Sequence, residues 1–413
     1  MTNATPETQI CRTDGSNRSE LDELIRQGAR KMLQVALEAE VEEYIQRCRS
    51  LVDEEGKRLV VRNGHMPERT ILTGAGGLEL KQPRVHDRRP DERFSSSILP
   101  PYMRRSPSLD ALIPALYLKG ISTGDFPEAL EAILGPGAGA LSANTVTRLK
   151  QEWQAEYGDW KSRDLTNKRY VYWWADGIHF NVRLEDERTC ILVLMGTLED
   201  GRKELIGMVD GFRESKLSWQ DLLRDLKSRG LSEGPRLAVG DGALGFWAAL
   251  REEFGAAREQ RCWVHKTANI LDKMPKSVQP RAKERIHEMY RAETKKDALN
   301  AYKEFLNLYK AKYPAACHCL EKDKDVLFQF YDFPAQHWQH IRTTNPIEST
   351  FATVRHRTKR TKGCGNRLAT LTMTFKLITE AEKHWRRING YELIVKVFNG
   401  VRFKDGIEEE KAA

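Results

Sequence analysis

The sequence predicts a protein of α/β plus α class. A mixed-sheet domain is interrupted by a helical insertion and preceded by a helix-turn-helix-like region and a small N-terminal α/β unit. Three observations carry this expectation. The run "RYVYWWADGIHF" (Arg169–Phe180) opens with bulky residues that fit a buried, pleated surface. Three strand candidates then succeed one another without a helix, after which helix, strand, helix and strand alternate. From His265 to about Ile341 the pattern is helical and charged, too long for a loop.

A chain of 413 residues exceeds one compact core, so several structural units are expected. The 67 Lys and Arg against 59 Asp and Glu leave a net charge of +8, moderate enough that its distribution matters more than its sum. The opening "MTNATPETQICRTDG" has no apolar stretch of the signal-peptide kind, and Cys190–Met195 is too short to span a bilayer. Seven irregularly spaced cysteines describe no disulfide framework. These features argue against secreted disulfide-rich and membrane classes and lead us to expect a soluble, cytoplasmic protein.

Residues 1–18 are polar and expected to be a disordered tail. Residues 19–107 follow as the N-terminal unit. Its helix runs from Ser19 to about Arg49, with Leu21, Leu24, Ile25, Met32, Leu33, Ala36 and Leu37 on one side. Short β-prone runs come next, with Asn63-Gly64 and Gly74–Gly77 as turn signals. The segment Lys81–Arg105 carries Lys81, Arg84, Arg88, Arg89, Arg93, Arg104 and Arg105, and suits either a phosphate backbone or a solvated linker.

Residues 108–165 read as three helices. Gly120 stops the first, Thr123 can cap the second and Ser142 the third. This is the outline of a helix-turn-helix reader of DNA, although generic three-helix packing has the same pattern. In the third helix Asn144, Thr145, Thr147, Arg148 and Lys150 stand where base-contacting side chains belong.

The mixed-sheet domain opens at residues 166–264. Strands are expected at Tyr170–Ala175, Cys190–Leu198 and Leu205–Val209, the last two joined by the hairpin turn "EDGRKE". A helix with Trp219, Leu222, Leu223 and Leu226 on one face precedes a strand at Arg236–Gly240. A helix with Ala243, Trp247, Leu250 and Phe254, and a strand near Gln260–Val264, complete the set. This order is that of the ribonuclease-H-like fold, in which the first and fourth strands are central neighbours. Residues 265–341 are the expected insertion, 342–390 the closing helix and end of the core, and 391–413 a C-terminal tail.

The strand order places Asp176 and Asp241 at the ends of adjacent strands, although Asp-Gly is also a common turn. The third carboxylate, Glu348, lies in "TTNPIESTFATVRHRTKRTKG". With Asn345 as N-cap and Pro346 in the first turn, Glu348 also fits a capping box. Arg355, Lys359 and Lys362 share its helix face at 3.6 residues per turn, so the carboxylate leads a basic stripe suited to phosphates. Two aspartates and a glutamate so arranged can hold two Mg²⁺ about 4 Å apart.

The segments "ADGIHF", "VGDGALGFWAAL", "QRCWVHKTANIL" and "TTNPIESTFATVRHRTKRTKG", in this order, resemble the Mutator-type transposases of bacterial insertion sequences. The likeness extends from about Asn63 to Gly390 and includes "NGHMPERTILTGAG" and "ALIPALYLKGISTGDFPEAL". It implies a ribonuclease-H-like core and an Asp-Asp-Glu (DDE) triad at Asp176, Asp241 and Glu348. It also implies Mg²⁺-dependent cleavage and strand transfer, with Mn²⁺ as a substitute, on double-stranded DNA at element ends and target. A helix-turn-helix region for terminal inverted repeats, assembly of several copies in a synaptic complex and a place at the bacterial nucleoid complete the implication. A non-catalytic DNA-binding regulator and a nuclease lacking strand transfer are the competing readings. The family's Cys-x-x-His falls on Cys262 and His265, in a structural or second-layer role or as zinc ligands with Cys317, His318 and Cys319. One departure is "KGCGNRLAT", where Gly365 weakens helix continuity beyond Lys362.

Overall fold

Aromatic and β-branched residues gather into one five-stranded sheet that forms the centre of the larger of two compact units, residues 1–146 and 147–413. The structure is a computed structural model describing residues 20–121, 125–134, 143–180, 189–211, 214–242, 244–360 and 366–409. The tail at 1–18, the caps Thr123 and Ser142, and Lys362 and Gly365 lie outside the described residues, as do the side chains of Asn144, Thr145 and Lys359.

In the smaller unit, helix α1 (Glu20–Arg47) precedes β1 (Val60–His65), β2 (Arg69–Thr73), β3 (Gly76–Leu80) and β4 (Pro83–Asp87). The strands pair antiparallel as β1–β4 and β2–β3. Only the C-terminal half of α1 is covered: Leu37, Val41 and Ile45 are buried against Ile71, Leu78 and Val60. The expected apolar face at Leu21, Leu24, Ile25 and Met32 is exposed, because within this unit the small β pairs reach only the helix's later turns. Gly74-Ala75 makes the expected hairpin turn, whereas Gly64, at φ +67°, sits at a register irregularity inside β1. Part of the basic segment is internally paired, Arg89 with Asp87 at 2.7 Å and Arg105 with Asp110 at 2.9 Å. Helices α2 (Pro107–Lys119) and α3 (Phe126–Leu134) pack through Leu109, Ile113, Phe126 and Leu130. Gly120 ends α2 in the left-handed region at φ +112°, where glycine carries no steric penalty.

Helix α4 (Ala143–Ser162) crosses the division between units. The sheet then forms from β5 (Tyr172–Phe180), β6 (Thr189–Thr197), β7 (Lys203–Gly211), β8 (Leu237–Gly240) and β9 (Arg258–Arg261). Helices α5 (Lys216–Ser228) and α6 (Leu244–Glu253) intervene after β7 and β8. The spatial order is β7-β6-β5-β8-β9, with β5–β6 and β6–β7 antiparallel and β5–β8 and β8–β9 parallel. The first strand extends further than its apolar run suggests: β5 continues through Asp176-Gly177 to Phe180, so this Asp-Gly makes no turn. Pairing with β6 along its whole length holds the strand straight there.

One face of the sheet packs on α5 and α6, with Trp173, Leu192, Leu194, Trp219, Leu223 and Phe254 in a single cluster. After β9 come α7 (Trp263–Leu271), α8 (Gln279–Arg291), α9 (Lys295–Tyr309), α10 (Pro314–Glu321), and the short α11 (Lys324–Leu327) and α12 (Trp338–Ile341). Pro280 and Pro314 begin helices, where a missing N–H is harmless. Helix α13 (Asn345–Arg360) buries Ile347, Phe351 and Val354 and packs on β5, while α14 (Arg367–Glu382) packs on β7. Tyr157 of α4 donates to the Met208 carbonyl and sets its ring against Phe375 of α14. The segment expected as a tail instead folds as α15 (Ile394–Phe398) and the β10 (Phe403–Lys404)–β11 (Ile407–Glu408) hairpin. Gly406 exchanges backbone hydrogen bonds with Tyr331 and Ala335. No helix among the described residues is long and apolar enough to cross a membrane.

Trp173 is fully buried and meets Phe254 edge-on at 5.1 Å. Trp173→Ala should therefore cost about 3–5 kcal/mol, measurable as a lower midpoint in urea unfolding.

Candidate functional site

The parallel ladder between β5 and β8 aligns Ala175 with Gly240, so the next residues along the chain are Asp176 and Asp241. Asp176 is buried and its own Oδ1 accepts the Gly177 N–H at 2.8 Å. Burial and the neighbouring Asp241 push its carboxyl up to about 7, because a second negative charge in a poorly solvated place is costly.

Glu348 reaches this edge from the first turn of α13. The Thr344 carbonyl accepts the Glu348 N–H at 3.0 Å, so Thr344 is the cap, one residue earlier than expected, and Asn345 is the first helical residue. The Glu348 carboxylate does not close a capping box. Its Oε1 meets His265 Nε2 at 2.8 Å, and this contact, with Arg355 nearby, holds the carboxyl below its ordinary range. Ligand atoms of Asp176, His265 and Glu348 all lie within 4.8 Å of one another.

His265 is held from its other side too. Its Nδ1 lies 3.3 Å from Thr344 Oγ1, and both the N–H and the hydroxyl of Thr344 donate to Cys262 Sγ at 3.2 Å. Hydrogen bonding to Cys262 and Glu348 outweighs burial and raises the imidazole to about 10, so it is cationic at neutral pH. Burial lifts the Cys262 thiol, but the contacts with His265 and Thr344 prevail and the net shift is downward. Cys262 itself is positioned by the sheet, its N–H donating to the Gly240 carbonyl at 2.8 Å. Among the described residues no cluster of metal-ligating atoms joins Cys262 to Cys317, His318 or Cys319.

Arg355, seven residues after Glu348, is exposed, with its guanidinium over the Phe351 ring. Thr147, Arg148 and Lys150 are exposed on α4, and Arg148 pairs with Glu152 at 3.3 Å. Three further groups at the sheet edge carry no sequence signal of their own. Thr344 bridges Cys262 and His265. The Arg261 guanidinium fills the space that a side chain at Gly242, φ +91°, would take, beside Asp241. Glu214 approaches β5 at Gly177 and is shifted upward by burial and by Asp241.

The pH dependence has a definite sign. The Asp176 carboxyl is raised from 3.8 to about 7, so its folded form prefers the proton and stability falls as pH rises across that window. His265 is raised from 6.5 to about 10, so its contribution is fully present below 6.5 and is lost as pH rises through 10. Each slope is at most about 1.4 kcal/mol per pH unit. In chelator, Asp176→Asn should remove the first slope and melt higher than the wild type at pH 8. Parallel melting curves for the two proteins from pH 4 to 8 would contradict this.

The sequence model of the Mutator transposase family matches residues 1–388. The chain is 53% identical over 298 residues to the transposase for insertion sequence element IS6120 of Mycolicibacterium smegmatis, covering 72% of this chain and 92% of that protein. It is 50% identical over 287 residues to the transposase for element IST2 of Acidithiobacillus ferrooxidans, covering 68% and 95%. It is also 30% identical over 303 residues to the transposase for IS256 in transposon Tn4001 of Staphylococcus aureus, covering 72% and 75%. A match across most of the length, together with the resemblance of the segments that carry Asp176, Asp241 and Glu348, leads to one conclusion: this chain belongs to the Mutator family of insertion-sequence transposases.

Proposed function

We propose that this transposase works by a DDE mechanism on a ribonuclease-H-like core, with Asp176, Asp241 and Glu348 as its catalytic carboxylates. The observation that carries the reading is the meeting of Asp176 with Glu348 and His265 within 4.8 Å, on the strand whose parallel neighbour leads into Asp241. The sheet order β7-β6-β5-β8-β9 supports the fold assignment. In this reading water hydrolyses a phosphodiester at the element end, and the freed 3′-hydroxyl then attacks a second phosphodiester in the target. No covalent protein–DNA intermediate is required.

The residues fit Mg²⁺, a hard cation that prefers oxygen donors: Asp176 and Glu348 offer carboxylate oxygens within 4.8 Å of one another, and burial and the neighbouring Asp241 charge make Asp176 resist ionisation, a cost that a bound cation would offset. Asp176, Asp241 and Glu348 would hold it, and when bound it supplies Lewis-acid stabilisation to the phosphate oxygens, with Mn²⁺ able to substitute. His265 occupies one oxygen of Glu348 and leaves the other for the metal. Its imidazole, raised by hydrogen bonds to Cys262 and Glu348, would also bring positive charge to the carboxylate edge where a phosphate must come. Arg355, with Lys359 and Lys362 further along the sequence, serves the flanking phosphates. The segment 108–165, with Asn144, Thr145, Thr147, Arg148 and Lys150, is proposed to read the terminal inverted repeats, and the working form on DNA to contain several copies of the chain.

Asp176→Asn, Asp241→Asn and Glu348→Gln should each abolish cleavage of element ends in Mg²⁺ or Mn²⁺ while leaving end binding nearly intact. Gel-shift and cleavage assays on the same DNA check this, and a single variant that cleaves like the wild type would sink the triad. Replacing Arg355, Lys359 and Lys362 together with Ala should weaken binding alike for every sequence. It should also lower the slope of log K against log salt by up to about 2.7. An unchanged slope on a duplex spanning the cleavage point would reduce the stripe to solvated surface.

A further inference from the structure

On the opposite face of β5 from Asp176 lies a second group of donor atoms. Side chains alternate along a strand, so Ala175, Gly177 and His179 share the face turned towards α5 and α6, where Ala175 and Cys190 join the apolar cluster. His179 is paired directly with Cys190 of β6, which brings the two side chains together across the ladder. Glu214, just before α5, completes the group, with its Oε1 3.3 Å from His179 Nε2. His179, Cys190 and Glu214 each offer a ligand atom, and these lie within 4.8 Å of one another. Gly177 makes room for this: a Cβ there would stand 2.3 Å from Glu214 Oε1.

We propose that His179, Cys190 and Glu214 form a zinc site that pins the far ends of β5 and β6 to the start of α5. The donor set decides the metal. Imidazole nitrogen, thiolate sulfur and one carboxylate suit Zn²⁺, a borderline-soft ion, whereas Mg²⁺ takes oxygen and avoids sulfur. Donors around tetrahedral zinc stand roughly 3.3–3.8 Å apart, given bonds of about 2.0–2.3 Å. The His179–Glu214 separation is already there, and the sulfur needs to close by at most about 1 Å. His179 is half exposed, which leaves the fourth position open to water. Cys190 is buried, so its sulfur would be the inner anchor. The site does not rest on the DDE reading, since its three ligands are distinct from the triad and lie across the strand from Asp176.

The test uses the full chain, stripped with chelator and titrated with Zn²⁺ alone against a chromophoric competitor. Co²⁺ serves as a spectroscopic stand-in, because a thiolate ligand gives a near-ultraviolet charge-transfer band. The wild type should bind one Zn²⁺ per chain with Kd below about 1 μM and melt higher in its presence. His179→Ala and Glu214→Gln should each weaken binding by more than about 100-fold, the upper end for loss of an outer-layer partner. Cys190→Ser should abolish the Co²⁺ band, and Gly177→Ala should weaken binding by displacing Glu214. If Cys190→Ser fails to fold, the half-exposed His179 still decides the matter. Zinc binding no tighter than about 100 μM in the wild type would overturn the proposal. So would affinity that survives both His179→Ala and Glu214→Gln, or a Co²⁺ band lost with Cys262→Ser and kept with Cys190→Ser.

Discussion

Parallel pairing of β5 with β8 is the constraint from which the rest of the larger unit follows. Once Ala175 stands opposite Gly240, the next residue on each chain is a carboxylate, and the charge of Asp241 is felt at Asp176. Two like charges at a poorly solvated edge repel, and the upward shift at Asp176 is the measure of that repulsion together with burial. The surroundings answer it with positive charge: His265 as an imidazolium, Arg261 against Gly242, and Arg355 near Glu348. The hydrogen bonds among Cys262, Thr344 and His265 are what keep that imidazolium aimed at Glu348.

Much of this was legible in the sequence, for physical reasons that differ from element to element. The strand order could be read because apolar runs such as Tyr170–Trp174 and Cys190–Met195 fit the buried interior of a sheet and little else. Where β5 ends could not be read. Asp176-Gly177 has turn composition, and only the unbroken ladder with β6 overrides it. The α13 cap falls one residue before the position the sequence suggests, because Thr344 and Asn345 are both good caps and Thr344 is drawn into place by sulfur and imidazole partners some eighty residues away. The exposed start of the α1 face has another reason: periodicity shows which side is apolar but not how much of it finds a cover. Glu214 and Arg261 were invisible, since an acid in "FRESK" or an arginine in "EQRCW" carries no mark of the glycine beside which it lies.

The glycines at this edge illustrate a general point about close approach. Gly177 and Gly242 each follow an aspartate of the proposed triad, and each leaves room for a charged side chain from elsewhere in the fold, Glu214 in one case and Arg261 in the other. The two dipeptides look alike in the sequence but do different things. One sits in extended strand; the other, at φ +91°, lies in the left-handed region where glycine is strongly favoured.

The helical segment between β9 and α13 leaves and returns at almost one point, where the Trp263 N–H donates to the Arg342 carbonyl at 3.0 Å. Closing a loop costs little more as the loop lengthens, so the free energy of bringing Glu348 to the sheet is nearly indifferent to how many residues lie between these two positions. The segment also covers the sheet: Tyr172 Oη meets His337 Nδ1 at 2.7 Å, and the Trp174 indole N–H donates to the His340 carbonyl at 3.0 Å, so its last stretch closes over the face of β5 that carries Asp176. What must be kept is the pair of ends, the turn at Cys262 that starts α7 and the Thr343-Thr344 step that starts α13, together with the residues from Leu327 to His340 that bond to the sheet.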